Sequence, residues 1–201
     1  MWEIIASVLL GIGLSASAGF RVFVPLLLLS IASYVGWIPL NESWQWAGSL
    51  TAITLLSVAS VIEIAAYFIP VVDNLLDSIT IPLATIAGTL VMVSVVTDLD
   101  PIYSWTLAII AGGGTAATIA SSTGATRAAS TTATAGIANP IINVVEVVFS
   151  LVLSFLSIFA PVIAFILVVL LILGIRKLYK KMFKRSQLSR KHNHNKPTTT
   201  S

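Results

Sequence analysis

The chain has no cysteine and only two histidines, and both of these, His192 and His194, stand near its C-terminal end. Disulfides, zinc thiolate sites and haem thiolates are thereby excluded, and no imidazole in the body can serve as a general base. Charge is scarce as well: 9% of the 201 residues are charged, against about 25% in an average soluble domain. Basic side chains are almost missing from the body. Residues 1–175 carry only Arg21 and Arg127 against all eight acids, a net charge of −6, whereas residues 176–201 hold the other nine basic residues. The pI near 9.4 therefore belongs to the tail. With no basic patch in the body, a nucleic-acid partner is excluded. No P-loop, HExxH or GxSxG pattern occurs, and two aspartates on one helix turn do not make a facing dyad. No enzyme, cofactor or metal site is expected. The His-Asn-His-Asn run at 192–195 reads as polar tail.

What the chain has in plenty is apolar sequence. Hydrophobic residues make up 57% of it, and a run of about 18 or more with few charges reads as a membrane span. The expectation is an all-α, polytopic membrane helix bundle over residues 1–175 with broken or re-entrant helices. A basic, partly disordered tail follows over 176–201. Glu3 in place of a basic leader segment argues against a cleavable signal peptide.

Residues 4–38 form one apolar stretch, about 50 Å long as a single helix, which exceeds a hydrocarbon core of about 30 Å. Two short helices broken near Gly19–Arg21 are expected. The polar loop Asn41–Gln45, with Trp37, Trp44 and Trp46 around it, suits the headgroup level, where tryptophan concentrates. A clear span over 47–69 contains Glu63, and Pro70 divides it from a second span over 79–96. Asp98-Leu99-Asp100-Pro101 reads as a water-exposed turn. From Ala111 to Ala138 the chain is almost entirely Ala, Gly, Ser and Thr, broken by Arg127. Small residues in membranes sit where helix backbones come close, so this segment is placed inside the bundle. The last apolar region runs from Asn139 past Glu146 to about Ile175, with a kink at Pro161. Five to seven spans are expected in all.

An internal repeat shows faintly. Ser15–Arg21 is similar to Ser121–Arg127, and Pro70-Val71-Val72-Asp73 to Pro140-Ile141-Ile142-Asn143. Transporter halves retain this kind of symmetry.

Six ionisable residues lie in or beside apolar segments: Arg21, Glu63, Asp73, Asp77, Arg127 and Glu146. Each costs about 2.5–3.5 kcal/mol at the bilayer centre, so such residues face a bundle interior or an aqueous cavity and pair. One reading makes them an ion or substrate pathway, with the acids holding a cation or proton and the arginines an anion or a gate. The other makes them register pins, with Asp73 and Asp77 hydrated in the first turns of a helix whose dipole favours acids there.

The ordered set Gly13–Leu27, Glu63, Ile69–Asp77, Ala87-Gly88, Arg127–Thr131, Gly136–Pro140 and Glu146 resembles the bacterial integral-membrane family designated domain of unknown function four-one-two-six. The likeness covers about residues 5–170. Members often carry charged residues just before the proline of Pro-x-x-Asp, where this chain has Ala66 and Tyr67. The resemblance implies a membrane fold and names no substrate. Two functions then stand against each other: a small transporter or channel for an ion or small polar solute, and a structural or interaction protein whose buried charges only fix packing. A homodimer is expected for a chain this short.

The tail sets the orientation. Arg176, Lys177, Lys180, Lys181, Lys184 and Arg185 lie just past the last apolar region, within the window of about 15–20 residues that the positive-inside rule counts. They place the C-terminus in the cytoplasm of a bacterial inner membrane, against anionic lipid. Leu178, Tyr179, Met182 and Phe183 form an apolar stripe between them. Alkaline phosphatase fused after Ser201 should therefore be inactive; an active fusion would reverse the orientation.

Overall fold

The computed structural model describes residues 2–97 and 99–194, with the backbone alone at Pro70, Val71, Asn74, Leu178 and residues 181–194. All of the regular structure among the described residues is helical. Eight α-helices follow in order: α1 (Trp2–Ala18), α2 (Phe23–Tyr34), α3 (Leu50–Ala66), α4 (Pro70–Val95), α5 (Pro101–Leu107), α6 (Gly114–Thr134), α7 (Asn139–Phe159) and α8 (Pro161–His194). A 3₁₀ helix, Glu42–Gly48, precedes α3, and a π-helical stretch, Ala108–Gly113, joins α5 to α6. The chain up to Val168 forms one compact unit, and Val169 onward a second.

The first apolar stretch breaks where expected, at Gly19–Val22 between α1 and α2. Among the described residues three helical segments are long and apolar enough to cross a membrane: Leu75–Val95, Pro101–Thr134 and Asn139–Phe159. The 3₁₀ helix and α3, bent by 65°, bring the number to four if they count as one. The break leaves two shorter apolar helices, α1 with 17 residues and α2 with 12, at most about 25 Å long at 1.5 Å per residue. Pro82 lies inside α4 without ending it.

Polarity in α7 is inside out. The buried residues of α7 are Asn139, Asn143, Glu146, Ser150, Leu153, Ser154 and Ser157, a stripe of one helix face. Its exposed residues include Val144, Val148, Phe149, Val152 and Phe155. A water-soluble helix turns its apolar side to the core; α7 turns its polar side inward, as a helix surrounded by lipid must. Ser17 of α1 meets this stripe, its hydroxyl 2.9 Å from that of Ser150 and 2.6 Å from that of Ser154.

Close approach holds α4 against the π-helical stretch and the start of α6. A Cβ on Gly88 would stand 2.6 Å from the Ala116 Cβ and 2.9 Å from the Gly112 carbonyl oxygen, and one on Gly112 would stand 2.6 Å from the Gly88 oxygen. The same Gly88 oxygen accepts the Ser15 hydroxyl at 2.7 Å, so α1 joins at that level. The small-residue segment is thus only half inside. Gly112, Gly113, Ala116, Ile119, Ala120 and Arg127 are buried, while Thr118, Ser121, Ala125, Ala128 and Thr132 form an exposed face. Thr118, Ser121 and Thr132 donate to carbonyls four residues back, which removes their demand for water.

The tryptophan loop is pinned to the end of α4. The Asn41 amide donates to the Ser94 oxygen at 2.9 Å, and Trp37 and Trp46 stay exposed. Asp100 caps α5 through the Ile102 amide, 2.9 Å away; Asp98, its partner in the expected acidic turn, lies outside the described residues. In the tail α8 continues as helix past residue 175, with Arg176, Lys177, Tyr179 and Lys180 exposed. The side chains of Lys181, Lys184, Arg185, Leu178, Met182 and Phe183 lie outside the described residues, as do residues 195–201.

These contacts separate the glycines sharply. Gly88→Ala should destabilise the fold by about 1–3 kcal/mol through overpacking, whereas Gly124→Ala, with nothing within 4 Å, should be neutral or stabilising by up to about 1 kcal/mol. Unfolding by SDS titration in mixed micelles, read by tryptophan fluorescence, checks both.

Candidate functional site: a buried arginine–carboxylate network

Three helix breaks converge on one point of the bundle, and the two body arginines meet there. Arg21 sits just past α1, where its backbone amide bonds the Ser17 oxygen at 3.1 Å, and its side chain is 1% exposed. Its Nη2 donates to Glu146 Oε2 at 2.9 Å and to Asn143 Oδ1. Arg127, in the last two turns of α6, binds Glu146 in a fork: Nε donates to Oε1 at 3.1 Å and Nη2 to Oε2. Its Nη1 donates to Asp73 Oδ1 at 2.5 Å. Glu146 is therefore shared by both guanidinium groups.

Sequence position explains the convergence. Asn139, Asn143 and Glu146 are spaced i, i+4, i+7 on α7 and share a face. Asp73 and Asp77 occupy the first two turns of α4, which Pro70 opens at the position where a missing N–H is harmless. Asp73 is buried and Asp77 half-buried, its Oδ1 3.8 Å from Arg127 Nε. Asn139 ties the layers together: its Nδ2 donates to Asp73 Oδ2 at 3.0 Å and to Thr131 Oγ1 at 3.1 Å.

Glu63 stands apart from these pairs. Its two oxygens accept the backbone amides of Val22 and Phe23, at 2.7 and 3.0 Å. It thus supplies from α3 the cap that α2, with no side-chain cap of its own, lacks. A carboxylate at a helix N-terminus also meets the positive end of the dipole.

Tyr67 was missed by sequence reasoning. It caps α3 and lies buried, with the Arg21 and Arg127 guanidinium carbons 4.0 and 4.4 Å from its ring centroid. Its hydroxyl pairs with that of Thr80 at 2.6 Å. Both cations rest on this ring. Asn139 was missed as well, although its spacing from Glu146 put it within reach of inference.

The two pieces that looked like repeats meet crosswise. Arg21 of the first bonds Asn143 of the second Pro-x-x motif, and Arg127 of the second bonds Asp73 of the first. Counted formally, the site holds four carboxylates, Glu63, Asp73, Asp77 and Glu146, for two guanidinium groups. It is short of two positive charges. Several buried polar atoms have no partner: Arg21 Nε, Asn143 Nδ2 and Asn139 Oδ1 in the network, and Ser130 Oγ beside it. A cavity of about 290 Å³ reaches Asp73 and Asn139 from the α3–α4 and α6–α7 turns. The described residues contain no group of three His, Cys, Asp or Glu side chains arranged to hold a metal ion.

Fold and site together define a multi-pass, all-α membrane protein with a buried charge network. The family model described as Domain of unknown function (DUF4126) matches residues 8–181, and the chain belongs to that family. No curated protein and no solved structure matches it.

The network's members carry unequal weight. Glu146→Gln strips a shared anion from two buried arginines and should destabilise the protein by about 3–5 kcal/mol. Asp77→Asn, at a longer contact and partly exposed, should cost less than about 1 kcal/mol. The same SDS titration ranks them.

Proposed function

We propose that this protein is a small membrane transporter or channel that carries an ion or small polar solute, coupled to protons through the buried carboxylates and arginines. One observation carries the reading: three carboxylates pair with two guanidinium groups at the junction of three helix breaks, with Glu63 close by on the backbone amides that open α2. Ionisable residues inside a membrane mark substrate and ion pathways and proton relays. Irregular backbone at membrane depth is tolerated where it lines a cavity or lies buried in protein, and transporter sites are built from such interrupted helices. Two surplus carboxylates supply what proton coupling needs, a charge that can be taken up and released.

A second reading is favoured by one specific observation. Glu146 and Asp73 are both engaged by arginine and closed off, as in a scaffold whose charges only fix helix register. We place the protein in the bacterial inner membrane as a homodimer, with its C-terminal tail on anionic lipid, and we assign it no catalytic role.

Proton flux in proteoliposomes, followed by an internal pH dye, tests the choice. The transport reading requires flux in the unaltered protein and its loss in Glu63→Ala and Asp73→Ala at unchanged monodispersity. A folded, flux-silent native protein contradicts transport. Misfolding of Asp73→Ala that is reversed by adding Arg127→Ala assigns the network to scaffolding.

A further inference from the structure

We propose that Asp77 is the proton-binding group of the network, an inference that rests on the transport reading and names the residue through which it is coupled to protons. Charge counting leads to it. Of the four carboxylates, Glu63 has its charge answered at the start of α2, where both its oxygens accept backbone amides. Asp73, Asp77 and Glu146 then stand against Arg21 and Arg127. One negative charge is left over in a site largely closed to water, and one proton balances it.

Hydrogen bonds decide which carboxylate takes that proton. Glu146 accepts from Nη2 of Arg21 and from Nε and Nη2 of Arg127. Asp73 accepts Arg127 Nη1 on one oxygen and Asn139 Nδ2 on the other. A protonated carboxyl carries an O–H donor. On Glu146 or Asp73 that donor would meet N–H groups already in place, and a buried guanidinium would lose its acceptor. Asp77 gives up nothing of the kind. Among the described residues no donor bonds its oxygens, and Arg127 Nε, 3.8 Å from its Oδ1, is bonded to Glu146 instead.

Position adds to the preference. Asp73 lies in the first turn of α4 and Asp77 a turn further on, past the reach of a helix dipole that fades within the first turn. The Asp77 side chain is 24% exposed, against 4% for Asp73 and 6% for Glu146. Of the three it is therefore the one that a proton reaches without a helix moving. Arg127 from α6, Glu146 from α7, Arg21 from the α1–α2 break, Tyr67 from the end of α3 and Asp73 on α4 itself surround it. The other elements on α4, namely α2, α5 and the π-helical stretch, bring no charged group. Loss of the proton leaves Arg127 with three competing anions in place of two, while Asp73 and Glu146 act as positioning residues that hold it.

Labelling of the full chain in proteoliposomes with N,N′-dicyclohexylcarbodiimide at neutral pH, read by peptide mass mapping, tests this. The reagent is apolar, and a protonated carboxyl adds across its C=N bond; the O-acylurea then rearranges to a stable N-acylurea, and no group leaves. The result expected is one adduct, on Asp77, that forms more slowly as the pH is raised and is absent from Asp77→Asn. Asp77→Asn should stay monodisperse and lose proton flux, whereas Asp77→Glu should keep both the adduct and the flux. An adduct on another carboxyl in place of Asp77, no adduct on the native protein, or undiminished flux in Asp77→Asn overturns the assignment. An adduct on Asp77 of a native protein without flux removes the transport reading alone, whereas flux with the adduct elsewhere removes this assignment alone.

Discussion

An ionised guanidinium cannot be left alone away from water, and this bundle is arranged around satisfying two of them. Arg127 is held by Glu146 through two parallel bonds and by Asp73 through a third. Arg21 draws on the same Glu146. These few bonds gather the end of α1, the start of α4, the last turns of α6 and the first turns of α7. Any shift of one helix by a turn would strand a charge, at several kcal/mol for each ion. The breaks at Gly19–Val22, Tyr67–Ile69 and Ala135–Ala138 therefore share one level. Tyr67 closes the arrangement by offering its ring to both arginines.

Elsewhere the bundle cannot rely on hydrophobic burial, because lipid is as apolar as its own outer surface. Two other devices take that place. Small residues let α4 touch the π-helical stretch before α6 backbone to backbone at Gly88 and Gly112. Serines on α1 and α7 bond across the helix pair, Ser17 with Ser150 and Ser154. Both act over short distances and both demand register, which the charges provide. The hydroxyl-rich outer face of α6 survives because its side chains bond their own helix.

Much of this was legible in the sequence. The small-residue run ending in Arg21 announced the break beside it, whereas Arg127 lies inside an unbroken α6. Length against bilayer thickness divided residues 4–38 into α1 and α2. Among the described residues three or four segments are long and apolar enough to cross, and α1 and α2 are shorter apolar helices, because apolar length does not reveal where a helix ends. Composition also placed all of 111–138 inside the bundle. It could not show that half of α6 faces outward, because a hydroxyl bonded to its own helix behaves as an apolar group. The partners of each arginine were not readable either. Arg127 pairs with residues 54 and 19 positions away in sequence, and pattern alone gave four acids with equal claims. Tyr67 was hidden for a different reason: an aromatic before a proline carries no sequence signal of cation contact.

The crosswise meeting of the two Arg and Pro-x-x-Asp/Asn pieces gives the network a near-equivalence of its halves. Only Glu146 belongs to both, so the account stands or falls on its coupling to Arg127. A double-mutant cycle of Arg127→Leu and Glu146→Leu, read by SDS unfolding of the full chain, measures that coupling directly. The account predicts an interaction energy of about 1.5 kcal/mol or more, with the double variant more stable than either single one. Additive losses, with a coupling near zero, would contradict it.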